Sequence, residues 1–189
     1  MAHASTNASE LTRLAWSPNP HIAGAVAGNP HATAWALRKI SMWHESLEVL
    51  QRIANNPNTA KSTLRRISRK HALMHPATVL AITRRSDCPR SIIDDVCNRR
   101  TRGGHLAAAA LAARNDLPEW CYRRLYLNWP EPAVQEALAA NMFVPRDVLT
   151  VLLDKSSTPR VLNALAHNPS LPEPDRVLAA LRTPSTRLS

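Results

Sequence analysis

Apolar residues along this chain fall at helical spacing and are interrupted at regular intervals by asparagine and proline. In "LQRIANNPNTAKSTLRRIS" (Leu50 to Ser68), Leu64 and Ile67 lie three apart and share one helix face. Val49, Leu50 and Ile53 form the apolar part of the helix before them. Between the two runs stand Asn55, Asn56, Pro57 and Asn58. Pro57 lacks a backbone N–H, and its ring disfavours the helical region for Asn56, so the first helix is expected to stop near Asn55. Asn58 or Thr59 is then placed to cap the second. The stretch reads as helix, turn, helix.

The same punctuation recurs. With Asn56 as anchor, comparable positions are Asn29, Ser86, Asn115, Asn141 and Asn168, at spacings of 27, 30, 29, 26 and 27 residues. Two residues before the anchor stand Ala27, Ala54, Ala113, Ala139 and Ala166, with Arg84 the exception; seven before stand Ile22, Val49, Val79, Ala108, Val134 and Val161. Eight and eleven after it come Leu37 and Ile40, Leu64 and Ile67, Leu149 and Leu152. Small length changes leave Ile93, Leu125, Leu178 and Leu181 for the same face. Pro20, Pro132 and Pro159 fall nine before the anchor, where the first turn of a helix tolerates proline. A period of this size predicts an all-α solenoid of the right-handed type, with about six helix-turn-helix repeats of 26–30 residues. The repeat domain spans residues 10–182, between polar ends at 1–9 and 183–189 that are expected to be disordered.

The pattern Pro-x-Val-Leu-x-x-Leu-Ala-x-Asn-Pro, followed about eight residues on by Leu-x-x-Leu, resembles the leucine-rich repeat variant group of HEAT-like helical repeats. "TPRVLNALAHNPSLPEPDRVLAAL" (Thr158 to Leu181) and "SLEVLQRIANNPNTAKSTLRRI" (Ser46 to Ile67) carry the likeness best, and it covers roughly residues 18–182. Ser86-Asp87 and Asn115-Asp116 lack the proline after the anchor. The resemblance implies stacked helix pairs, one helix of a pair sometimes short or 3₁₀, and no single activity. Some relatives hold an iron–sulfur cluster on a cysteine-rich segment; no such cysteine group exists here, and no cofactor is expected.

Composition agrees. In 189 residues, 44% are apolar and only 4% aromatic, with four glycines, which argues against a β-rich fold. Cys88, Cys97 and Cys121 are odd in number and widely spaced, so reduced thiols are the expectation. The start "MAHASTNASE" lacks the pattern of a secretory signal, and no run of about 18 apolar residues occurs, so a cytoplasmic protein that does not enter the membrane is expected.

Charge changes the picture. The balance is +10, and residues 61–124 hold 14 basic against 5 acidic side chains, a surplus of nine. In a solenoid, equal registers in successive copies become neighbours. Arg85 and Arg114, each just before an anchor, are expected on one ridge; Arg69, Lys70, Arg99, Arg100 and Arg102, after second helices, on another. Together with Arg65, Arg66, Arg84, Arg123 and Arg124 they form the expected nucleic-acid-binding set, gripping DNA or RNA through the phosphate backbone with counterion release. Arginine suits bidentate contact with phosphate or carboxylate. The alternative is a protein-interaction adaptor that holds an acidic partner in its groove or at an end cap.

Chemistry is sparse. His71 and His75 form an i, i+4 pair without a third ligand, so no metal site is expected. Asp94-Asp95 is a paired carboxylate expected to neutralise nearby arginine. Asp116 and Trp120 are similar in type to the acid and aromatic pair of HEAT-like DNA glycosylases, the one enzymatic exception to a non-enzymatic reading. No nucleotide-loop, zinc-protease or serine-hydrolase motif occurs, and no small-molecule substrate is evident. Trp16, Trp35, Trp43, Trp120 and Trp129 outnumber the other aromatics. Filling volume in a core with few rings is their expected role; joint exposure of Trp16, Trp35 and Trp43 would instead mark a surface for a partner protein.

Overall fold

A computed structural model describes residues 6–71, 76–99 and 104–183, excepting the side chains of Lys70 and His71. Among them are thirteen short α-helices. They are α1 (Ala8–Leu14), α2 (Pro20–Ala27), α3 (Ala34–Trp43), α4 (Leu47–Asn55), α5 (Lys61–His71), α6 (Pro76–Thr83), α7 (Arg90–Asn98), α8 (His105–Ala112), α9 (Glu119–Asn128), α10 (Pro132–Ala140), α11 (Arg146–Lys155), α12 (Pro159–Ala166) and α13 (Glu173–Arg182). The chain divides into two compact units, the boundary falling inside α7 between Ile92 and Ile93.

Local sequence sets the element ends. α4 stops at Asn55, and Asn56 takes an extended conformation (φ −71°, ψ 125°), as a residue before proline should. Pro20, Pro132 and Pro159 each open a helix, where a missing N–H costs nothing. Asn7, Asn19 and Thr33 cap α1, α2 and α3 by accepting first-turn N–H groups through their side-chain oxygens. α5 begins at Lys61, later than a cap at Asn58 or Thr59 would place it. Those two side chains are used elsewhere: Asn58 Nδ2 donates to Pro30 O and Ala32 O, and Thr59 Oγ1 to Ile53 O.

In the first unit α2 packs on α4 and α4 on α6, while α3 packs on α5; α1 lies against α2 and α3. Leu11, Leu37, Ile40, Leu50, Ile53 and Leu64 are fully buried between these rows. Each such side chain contributes about 1.5–3 kcal/mol by leaving water. In the second unit α8, α10 and α12 stack in one row and α9, α11 and α13 in another. Leu111, Leu125, Leu138, Leu149 and Leu165 fill its interior. These are stacked helix contacts of the solenoid kind, each helix covering the apolar face of the one before.

One expected core face is corrected. α13 aligns with α5 and α11 without any length change, each beginning five residues after its asparagine anchor. Ala179 therefore takes the place of Ile67 and Leu152 and is buried, whereas Leu178 and Leu181 are exposed. A helix turns about 100° per residue, so a one- or two-residue offset moves a side chain off the buried stripe.

Candidate functional site

Asn56, Asn141 and Asn168 are hydrogen-bonding posts between successive helix pairs. Asn56 Nδ2 donates to Ala27 O and Asn29 O, both at 2.8 Å, while its Oδ1 accepts the N–H of Asn58 at 3.0 Å. Asn168 repeats this with Ala139 O (2.7 Å), Asn141 O (3.2 Å) and the N–H of Ser170 (2.9 Å). Asn141 does so with Ala112 O, Arg114 O and the N–H of Phe143. A buried amide that donates twice and accepts once satisfies backbone groups left open where each helix ends.

This geometry corrects the register of the middle of the chain. Arg85 Nη1 donates to Ala54 O (3.0 Å) and Asn56 O (2.7 Å), the carbonyls an anchor asparagine would take. The register positions are thus Asn29, Asn56, Arg85, Arg114, Asn141 and Asn168, at spacings of 27, 29, 29, 27 and 27 residues, and Asn56, Arg85, Asn141 and Asn168 donate to carbonyls of the preceding pair; neither Ser86 nor Asn115 keeps this register. The buried residues three further on, Ala32, Thr59, Cys88, Leu117, Val144 and Leu171, keep the same register. A guanidinium is longer than an amide and presents a fork of donors, so the carbonyls receive Nη1 while Nε and Nη2 remain for a carboxylate. Asp87, two residues on, supplies it at 2.7 and 3.0 Å. Arg114 pairs with Asp116 in the same way, at 2.8 and 2.5 Å. Both arginine side chains are only 12% exposed. Of the two arginines expected to grip phosphate at this register, Arg85 is held by two carbonyls and the carboxylate of Asp87, and Arg114 by the carboxylate of Asp116.

The arginine hydrogen bonds, opposed in part by burial, hold the Asp87 and Asp116 carboxyls below the ordinary carboxylate value. A depressed folded-state value stabilises the fold above the unfolded-chain value of about 3.9 and is lost as pH falls through the folded one. Thermal melts should therefore show the midpoint falling below about pH 4. Replacing both aspartates by asparagine should flatten that acid limb, and an unchanged limb would show that these pairs do not couple to folding.

The other cations divide. Arg123 pairs with Asp147 (2.9 Å) and Glu119 (3.2 Å); the Asp147 contact is the main cause of its raised pKa and of the lowered Asp147 value. Arg99 stands 3.7 Å from Asp95. Arg66 Nη2 donates to Arg38 O (2.9 Å) and Ser41 Oγ, and burial, then the charge of Arg38, lowers its pKa. Arg65, Arg69, Arg84 and Arg124 are exposed, with no side-chain hydrogen bond or ion pair among the described residues. The Lys70 side chain, Arg100 and Arg102 lie outside the described residues. In the first unit, Ser62, Arg65, Arg66 and Arg69 share one face of α5 and line an open depression of about 530 Å³.

The tryptophans correct another expectation. Trp129 does fill core volume, its Nε1–H donating to Val96 O at 2.9 Å, and Trp120 is half-buried. Trp16, Trp35 and Trp43, however, are 59%, 48% and 68% exposed. They are neighbours: the Trp16 and Trp35 rings stand 6.1 Å apart at 48°, and Lys39 Nζ lies 3.5 Å from the Trp16 ring centre and 5.3 Å from that of Trp43. The ammonium is held by two indole faces, a cation–π arrangement worth about 0.5–1 kcal/mol at an exposed site. Beside it Ala15, Trp16, Ser17, Pro18, Trp43 and His44 line a depression of about 370 Å³, its wall tied by the bond between His44 Nε2 and Ser17 O at 3.0 Å. Trp35, Lys39 and Met42 at i, i+4 and i+7 of α3 were the sequence signal for this face.

Asp116, the acid of the glycosylase-like pair, is bound by Arg114. Cys88, Cys97 and Cys121 are buried and not in disulfides, and a hydrogen bond with Cys121, reinforced by burial, pushes the Cys97 pKa up. Among the described residues no group of three His, Cys, Asp or Glu could hold a metal ion, and no helix is long and apolar enough to cross a membrane. The His71–His75 pair lies outside the described side chains. No family model, no curated protein and no solved structure matches this chain.

Proposed function

We propose that this chain is a non-enzymatic helical-repeat binding protein, a solenoid of six helix pairs similar to leucine-rich repeat variant and HEAT repeats, whose primary task is to dock a partner protein. The observation that carries this reading is the joint exposure of Trp16, Trp35 and Trp43 around Lys39 in the first unit. Tryptophan in water forfeits a large burial term, and clustered exposed rings are typical of surfaces whose energy is released on association. In an affinity capture from the native cell, the partner should be retained by the wild-type chain and lost from a Trp16→Ala/Trp35→Ala/Trp43→Ala variant with an unchanged circular dichroism spectrum. Retention of the same protein by that variant would overturn the reading.

A second reading, nucleic-acid binding through phosphates, is favoured by one observation: Arg65 and Arg69 are exposed without a carboxylate partner on the α5 face. It draws on fewer residues than the charge pattern suggested, since Arg85, Arg114 and Arg123 are committed to internal partners. Titration with duplex and single-stranded DNA and RNA at several salt concentrations separates the two. A steep salt slope lost on Arg65→Glu/Arg69→Glu supports nucleic acid, and absence of binding at moderate salt removes it.

A further inference from the structure

The tryptophan surface and the arginine face of α5 are adjacent parts of one surface. α3 packs on α5, and Arg66 reaches across to Arg38 O and Ser41 Oγ. The outward positions correspond one for one at an interval of 27 residues: Trp35 with Ser62, Arg38 with Arg65, Lys39 with Arg66 and Met42 with Arg69. The two helices contain seven Lys and Arg residues (Arg38, Lys39, Lys61, Arg65, Arg66, Arg69 and Lys70) and no carboxylate. Arg38, Lys39, Arg65 and Arg69 have no carboxylate partner among the described residues. Aromatic rings and an apolar depression therefore adjoin a row of uncompensated cations.

We infer that this composite face binds an acidic segment of a partner protein, one apolar side chain entering the depression walled by Trp16, Pro18 and Trp43 and flanking carboxylates meeting Lys39 and the α5 arginines. The inference rests on the partner-protein reading above and specifies its chemistry. Charge complementarity selects acid over base, because a basic segment would meet like charge across the whole face. Shape selects a peptide over stacked bases. The Trp16 ring is already covered by the Lys39 ammonium, and Trp16 and Trp35 are inclined at 48°, so they do not form a parallel platform for successive bases. A concave apolar recess about 370 Å³ in volume suits a branched or aromatic side chain. Arginine forks on α5 can take carboxylates in bidentate fashion.

The test uses the full chain and a fluorescein-labelled peptide, Glu-Glu-Asp-Leu-Phe-Asp-Glu-Glu, followed by fluorescence anisotropy. Binding should weaken by about tenfold or more when Leu-Phe is replaced by Ala-Ala, when Trp43 is replaced by alanine, and when Arg65→Glu/Arg69→Glu is introduced. It should also weaken with added salt. Trp43 and both arginines are exposed, so these variants should keep the wild-type circular dichroism spectrum. Equal affinity for the Ala-Ala peptide would overturn the anchor, and tighter binding of an oligothymidylate of equal charge would replace peptide by single-stranded nucleic acid. No binding at millimolar peptide, with the cellular partner still captured through the tryptophans, would sink this inference and leave the partner-protein reading standing.

Discussion

Replacing Asn56 by aspartate will lower the stability of the first unit by about 4 kcal/mol, within the 3–5 kcal/mol typical of an uncompensated buried charge. The substitution is nearly isosteric, so packing around it stays the same. What changes is the sign of the interaction. Asn56 Nδ2 donates to two carbonyl oxygens at 2.8 Å, Ala27 O and Asn29 O, from a buried position. An oxygen in its place brings a third acceptor against two others and leaves both carbonyls without their donor, while the bond accepted from Asn58 N–H survives. A carboxyl so placed has its folded-state pKa raised. The penalty therefore shrinks as pH falls through that value, and the variant should recover part of its loss in acid, the opposite trend to the wild type. Asn56→Ala, which removes donors without adding a charge, should lose only about 2–3 kcal/mol. Urea melts followed by circular dichroism at pH 7 and 5 measure all three. A midpoint for Asn56→Asp within experimental error of the wild type would mean that the post bears no energy.

Arg85→Ala is expected to cost about 3 kcal/mol, a large effect for a residue that sequence reasoning assigns to the surface. Two charge-assisted bonds to Ala54 O and Asn56 O disappear, and Asp87 loses its cation. Lysine should rescue only part of this, because a single ammonium cannot span two carbonyls and a carboxylate with fork geometry. In a double-mutant cycle, Arg85→Ala/Asp87→Ala should lose less than the sum of the single changes, since each partner alone is left uncompensated. A loss under about 0.5 kcal/mol for Arg85→Ala would place the residue with ordinary surface cations. The same guanidinium–carboxylate pairing recurs at Arg114 and Asp116, so Arg-x-Asp stands twice where the register would otherwise hold asparagine.

Proline and asparagine spacing made the helix breaks legible, because chain sterics at residues such as Asn56-Pro57 act within a few bonds and need no distant partner. The apolar faces at Leu37, Ile40, Leu64, Ile67, Leu149 and Leu152 were readable for the same reason: helical periodicity assigns a side, and that side is buried. The register of copies lacking proline was not readable. Ser86 and Asn115 match an asparagine-like anchor by type, but the post is chosen by reach to carbonyls about 29 residues earlier, and Arg85 has the length to make it. Nor could periodicity say that Trp129 is enclosed while Trp16, Trp35 and Trp43 face water. The sequence by itself determined where helices begin, end and turn their apolar sides, and that cations crowd the middle third. The tertiary structure decided which arginines are spent on backbone carbonyls and which rings stay uncovered, because burial and charge pairing depend on neighbours that only folding brings within a few ångströms.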